Sequence, residues 1–177
     1  MDMKYLVDKE ISLRHSERKD ASFLYRCENT MDIATSNTLF EPLSLSYAEE
    51  LVRHASSDLL SRGSLLLIIE IQEEDDKKPI GFVQLYNYDF FHQRVAIGIA
   101  LLPPFQGKEY GSRVLSLMVD YTLTYLPLKK LYAEIVASNN RAIKCFEKQN
   151  FSRASTLPQW YRNQDCYEDL HIYTITR

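Results

Sequence analysis

Leu102–Val114 reads LPPFQGKEYGSRV. Two prolines end an apolar run, because proline cannot donate to a sheet ladder. A basic loop bounded by Gly107 and Gly111 follows, and a second apolar run begins behind it. The stretch therefore predicts a strand, a tight loop and a helix start. The first amides of a helix have no partner within it and point out of its N-terminus, where the dipole also favours an anion. Gly107 and Gly111 let backbone approach a bulky anion, and Lys108 adds a positive charge. An ordinary strand-to-helix turn would carry the same local pattern.

Working outward, RVAIGIALL (94–102) is the strand before the loop. Behind the loop, Val114, Leu115, Met118, Tyr121 and Tyr125 recur at helical spacing over 112–126. Upstream, SLLLIIEI (64–71) and IGFVQLYNY (80–88) read as strands joined by a polar turn, QEEDDKKP. Ser46 and Glu49 form an S-x-x-E capping box for a helix carrying Leu51, Val52, Ala55, Leu59 and Leu60, which Gly63 stops. Asp20 is the expected cap of an earlier helix running to Asn29, after a short β segment at 11–14. Downstream, KKLYAEIVA (129–137) is a strand, 140–149 a short helix ending at Asn150, and 166–175 is β-rich. No repeat or linker interrupts the chain, which predicts a single α+β domain over residues 1–177.

The 177 residues carry 21 Lys+Arg against 24 Asp+Glu, a net charge of -3, so a nucleic-acid surface is not expected. No apolar run approaches the roughly 20 residues of a membrane span. Cys27, Cys145 and Cys166 are odd in number and widely spaced, which suggests reduced thiols and a cytoplasmic setting. His15, His54, His92 and His171 lack metal-binding spacing, so no metal is expected. No G-x-S-x-G elbow is present.

Gln106, Gly107, Lys108, Glu109, Tyr110 and Gly111 resemble the Q/R-x-x-G-x-G/A loop of the GNAT N-acetyltransferases. A second resemblance lies in VASNNRAIKCFEKQNF, through Asn139, Ala142, Lys148 and Phe151, and a third in the opening Leu13, Arg14 and Asp20. The likeness covers nearly the whole chain and is nearest to the ribosomal-protein N-terminal and spermidine acetyltransferases. It implies a mixed, mostly antiparallel central sheet flanked by helices, with its fourth and fifth strands splayed around acetyl-CoA. The pantetheine arm would pair with Ile99, Ala100 and Leu101, and residues Gln106 to Arg113, including Ser112, would hold the pyrophosphate. Asn139 would bond the pantetheine arm, with Ala142 and Phe146 beside it. The implied reaction moves an acetyl group directly to a primary amine: a protein N-terminus, a polyamine or a small amine. Glu41 lies in a region that in relatives lines the acceptor groove or a polyamine site, with Glu28 and Glu49 adding negative charge nearby. Trp160, Tyr161 and Tyr167 would wall the acceptor side, pack a sheet edge or form a contact in a homo-oligomer.

Three positions depart from the family pattern. Glu109 replaces the loop's middle glycine, Ala96 the glutamate of the fourth strand, and Phe146 the tyrosine that serves spermidine-type relatives as acid. No catalytic residue is therefore assigned. Tyr132 and Glu134 share a face of the fifth strand by alternation and are candidates for its place. The missing groups also motivate an acyl-CoA-binding regulator with little turnover. Cys145 beside the thioester end reads more simply as a small buried hydrophobe than as a nucleophile.

Overall fold

The computed structural model describes residues 6–30, 42–55, 59, 63–74, 76–163 and 165–177. Eight strands form one sheet: β1 (Val7–Asp8), β2 (Ile11–His15), β3 (Leu65–Glu73), β4 (Asp76–Asp89), β5 (Arg94–Leu101), β6 (Lys130–Val136), β7 (Ser152–Asn163) and β8 (Cys166–Thr176). The α-helices are α1 (Ala21–Glu28), α2 (Leu45–Ala55), α3 (Tyr110–Tyr125) and α4 (Asn140–Lys148). The order across the sheet is β1-β2-β3-β4-β5-β6-β8-β7. Every neighbouring pair is antiparallel except β5 and β6. The α+β architecture with a mixed, mostly antiparallel sheet is the one expected, and the expected fourth and fifth strands are β5 and β6.

Both faces of the sheet are covered, which is why β3 carries seven consecutive buried residues instead of an alternating pattern. On one face Leu67, Ile69, Val83, Leu85, Val95 and Ile97 pack with Val114, Leu115 and Met118 of α3 and Phe146 of α4. On the other, Leu66, Ile68, Phe82 and Ala100 pack with Phe23, Leu24 and Cys27 of α1 and Val52 of α2. Each fully buried aliphatic side chain contributes about 1.5–3 kcal/mol, and the two clusters fix which face each strand residue presents.

The single parallel pairing sets up the site. β5 and β6 are in register only at Arg94↔Lys130, Val95↔Leu131 and Ala96↔Tyr132, then diverge. Gly81 fixes the other side of β5: a Cβ there would meet the Ala100 carbonyl oxygen at 2.2 Å. Only a residue without a side chain permits this approach.

Several local expectations change. The start of α2 is capped by Ser44, whose Oγ accepts from the Tyr47 amide at 3.1 Å, so Ser46 lies inside the first turn. Asp20 makes no cap bond to α1. It instead accepts from the Glu17 amide at 2.7 Å and from Arg14 at 2.6 and 2.9 Å. β4 begins at Asp76, so most of the expected polar turn is paired strand, with Pro79 at a bulge where Ile80 has no register partner. β7 was not anticipated. Gly63 (φ +74°) and Asn150 (φ +63°) adopt the left-handed conformation where the chain leaves helical structure. Leu60 lies outside the described residues.

Candidate functional site

Where β5 and β6 part, a cavity of about 650 Å³ opens through the sheet. Its walls divide by strand alternation and by the core clusters. Ile97, Ile99, Ala133, Ile135, Ala142 and Phe146 belong to the α3/α4 side. Gln84, Tyr86, Gly98 and Ala100 belong to the α1/α2 side, because directly opposed residues share a face and Phe82 opposes Ala100 there. The pairing of Ala96 with Tyr132 puts Glu134 on that same side. Glu28, at the end of α1, also lines the cavity. Trp160, Tyr161 and Arg162 of β7 close it. They reach it through an irregularity: Leu157 opposes Leu170 and Tyr161 opposes Glu168, so three residues of β7 span one of β8. The Gln159 amide bonds the Asp169 carboxylate at 2.9 Å and holds the bulge.

On the α3/α4 side, backbone donors accumulate. After a 3-10 turn at Pro103–Phe105, Gly107 (φ +73°) and Glu109 (φ +64°) both sit in the left-handed region. This turns the chain sharply into α3. The first helical bond is Arg113 N–H to Glu109 C=O at 3.1 Å. Among the described residues, the amides of 107–112 donate to no protein acceptor. A bare glycine loop feeding such a helix end suits a pyrophosphate.

Three contacts from α4 and the residue after it hold the loop and the first turn of α3. Arg141 donates to Gln106 Oε1, Lys148 pairs with Glu109, and Gln149 Nε2 donates to Ser112 Oγ at 2.9 Å. Gln106 also donates through Nε2 to the Leu101 carbonyl at 2.8 Å, tying the loop to the end of β5. The hydrogen bond from Lys148, reinforced by its charge, holds the Glu109 carboxyl below its usual range. Glu109 thus faces a cation at its side chain.

The Arg113 side chain is engaged within the protein. Its Nε donates to Asp8 at 2.6 Å, and its two terminal nitrogens to Glu10 at 2.6 and 3.2 Å. A further bond reaches the Asp8 carbonyl at 2.8 Å. The guanidinium is spent on joining α3 to β1 and the turn after it. Its hydrogen bonds hold the Glu10 carboxyl down to about 2.

On β5, Leu101 C=O points to the gap, where Gln106 bonds it, whereas Ala100 C=O points at Gly81 on β4. Backbone groups alternate between the two edges of a strand, so those of Ile99 face the gap with those of Leu101. Ala100 reaches the cavity with its side of the sheet, but its carbonyl does not. Asn139 Oδ1 accepts from the Ala142 amide at 3.1 Å and caps α4, leaving its amide nitrogen as the cavity donor. Phe146 is buried and stacks edge-to-face on Phe151, 5.0 Å between centroids. Burial pushes the Cys145 thiol up, which keeps it protonated and argues against a thiolate nucleophile.

Tyr86 and Gln84 are wall residues that the sequence reading missed. Burial, then the charge of Glu134, pushes the Tyr86 hydroxyl up to about 12. One edge carbon of the Tyr86 ring lies 3.6 Å from where a Gly98 Cβ would be. Alternation within IGFVQLYNY already puts Phe82, Gln84 and Tyr86 on one face. Tyr132 is not among the wall residues, and Glu41 lies outside the described residues.

A sheet opened at one parallel pair, with a phosphate-suited helix start beside the opening, defines an acyl-CoA-dependent acyltransferase. The sequence description of the acetyltransferase (GNAT) domain matches residues 10–152, and the chain belongs to that family. It is an N-acetyltransferase with acetyl-CoA as co-substrate. Spermidine N(1)-acetyltransferase of Vibrio cholerae is 26% identical over 165 residues, covering 93% of this chain and 91% of that protein. The Escherichia coli enzyme of the same name is 27% identical over 142 residues, 80% of this chain and 73% of that one. Among solved structures, the Vibrio cholerae spermidine N-acetyltransferase in complex with CoA and spermine superposes with a TM-score of 0.84. Its identity is 24%, over 94% of this chain and 95% of the other. A microcin self-immunity acetyltransferase in complex with acetyl-CoA and AMP gives 0.79 at 20% identity, over 96% and 94%. At these identities the structural likeness is one of fold.

Proposed function

We propose that this acetyltransferase acetylates a polyamine of the spermidine class. One observation carries the reading: the carboxylate residues Glu28 and Glu134 line one cavity together with the aromatic residues Trp160 and Tyr161. Carboxylates raise the local concentration of a polycation, and aromatic faces hold ammonium or methylene groups. Arg162 adds one positive charge to the cavity lining. The names of the curated relatives support the same acceptor class.

Acetyl-CoA would enter from the α3/α4 side, its pyrophosphate on the amides of 107–112 and its pantetheine along Ile99 and Asn139. The acceptor amine would come from the α1/α2 side and attack the thioester in the slit. Holding the two partners together can supply up to roughly 7–11 kcal/mol of the barrier. The three free cysteines support a reducing, cytoplasmic setting. Among the described residues, no helix is long and apolar enough to cross a membrane.

CoA thiol release from acetyl-CoA, measured with spermidine, peptides of varied N-termini and aminoglycosides, tests the reading. Release with spermidine is expected. Release only with a peptide or an aminoglycoside overturns the acceptor. Ala96 and Phe146, apolar where relatives carry ionisable groups, favour a second reading, an acyl-CoA-binding regulator. Intact acetyl-CoA binding with no release across the panel would decide for it.

A further inference from the structure

The family's two usual proton-handling positions are Ala96 and Phe146 here, both buried and apolar. Phe146 lies on the cofactor side, packed against Phe151, so nothing at that position protonates sulfur. Two ionisable groups of the cavity, Tyr86 and Glu134, lie by strand register on the opposite face of the sheet from Phe146. Glu134 is exposed on β6 just past the last residue paired with β5, which places it at the mouth of the slit. Tyr86 stands on β4 opposite Ala96, with its ring against Gly98. Burial, and after it the charge of Glu134, holds the Tyr86 hydroxyl neutral.

Resting on the acetyltransferase reading above, we propose that Glu134 is the proton acceptor of this enzyme, with Tyr86 as the neutral hydroxyl that positions the amine beside it. The acceptor arrives as an ammonium and cannot attack until it loses a proton, which the Glu134 carboxylate takes and passes to water. The freed nitrogen lone pair then forms the N–C bond to the thioester carbon, and the C–S bond breaks. Sulfur leaves with the bonding pair as thiolate and takes its proton from water. The second nitrogen proton leaves by the same carboxylate, giving the neutral amide. Proton handling has thus moved from the cofactor face to the acceptor face. The charged and titratable residues that line the cavity with Glu134 are Glu28 of α1, Tyr86 of β4, and Tyr161 and Arg162 of β7, and Tyr132 stands two residues before it on β6.

The test uses Glu134→Gln, Tyr86→Phe and, as control, Tyr132→Phe, with spermidine as acceptor. Glu134→Gln is expected to lower kcat by about 10²–10⁴-fold, with calorimetric acetyl-CoA affinity unchanged. Its residual rate should climb about tenfold per pH unit, because hydroxide then does what the carboxylate did. Tyr86→Phe should lose less and keep the wild-type profile shape, and Tyr132→Phe should match wild type. Since Glu134 is exposed, its substitution leaves the core untouched. Wild-type kcat in Glu134→Gln, or a loss with no pH rescue, overturns the assignment while the acetyltransferase reading stands. Wild-type protein that binds acetyl-CoA but releases no thiol with any amine overturns both.

Discussion

Lys148 in the last turn of α4 pairs with Glu109 in the loop before α3, so the residue that breaks the family's glycine pattern carries its own counter-ion. The substitution Lys148→Met would free that carboxylate beside the phosphate-suited amides. Acetyl-CoA affinity by calorimetry should then fall about two- to fivefold, the range of an exposed ion pair. The double variant Lys148→Met/Glu109→Gln should recover most of it. The Glu109 carboxyl titrates below its unfolded value, so the pair is fully formed above the ordinary carboxylate range and is lost as pH falls through the depressed value. The Lys148→Met effect should fade in acid accordingly.

The two loop glycines should differ in kind. At Gly107 a Cβ meets no atom within 4 Å, but φ is +73°. Gly107→Ala therefore strains the backbone by about 1–2 kcal/mol and should move the loop. At Gly111 the φ is ordinary and a Cβ would touch Leu101 and Cys145 at 3.6 and 3.7 Å. Gly111→Ala should fit, whereas Gly111→Trp should block the helix start. Calorimetry with acetyl-CoA on the three variants separates conformation from space.

Gly81→Ala should perturb the site from behind. The new methyl group would sit 2.2 Å from the Ala100 carbonyl oxygen, so β4 or β5 must shift. We expect a loss of about 1–3 kcal/mol in denaturant unfolding, the usual range of overpacking, together with weaker acetyl-CoA binding. Normal binding in a destabilised variant would show that the shift stays on the β4 side.

Arg14 bridges two buried carboxylates, Asp20 at 2.6 Å and Glu70 at 2.8 Å. Burial opposes ionisation of Asp20, but hydrogen bonds from Arg14 and the Glu17 amide outweigh it and hold the carboxyl below its usual range. Arg14→Met would strand both carboxylates and should cost about 3 kcal/mol at neutral pH. Because the folded value is depressed, this stabilisation is present above the unfolded carboxylate range and disappears as pH falls through the folded value. Thermal unfolding of wild type and Arg14→Met should converge in acid.

The fold was legible where apolar residues kept a period or a loop carried its own grammar. The strand, Pro-Pro, glycine loop and helix over 94–126 could be read because each local preference agreed with its neighbours. β7 was hidden because SRASTLPQWYRN is a mostly exposed, polar strand at the sheet edge, with no apolar alternation to betray it. The first residues of β4 were hidden for the same reason: Asp76, Lys77 and Lys78 are exposed. The ion pairs of Arg113 were hidden because its partners, Asp8 and Glu10, lie more than 100 residues away, beyond any local pattern. Ser44 and Ser46 both offer a hydroxyl near the same helix start, and spacing alone favoured the wrong one. Of the candidate site, the glycine loop before α3 was readable as a motif. Tyr86 was not, since its role depends on which strand lies next to β4.

The three-residue parallel pairing of β5 and β6 means that the sheet is both the wall and the doorway of this enzyme. With donor and acceptor approaching from opposite faces as proposed, spent CoA and acetylated amine can withdraw in opposite directions without passing each other. Neither product has to wait for the other. A single compound joining a polyamine to CoA would have to thread the slit like a bolt, gripping the protein from both sides at once.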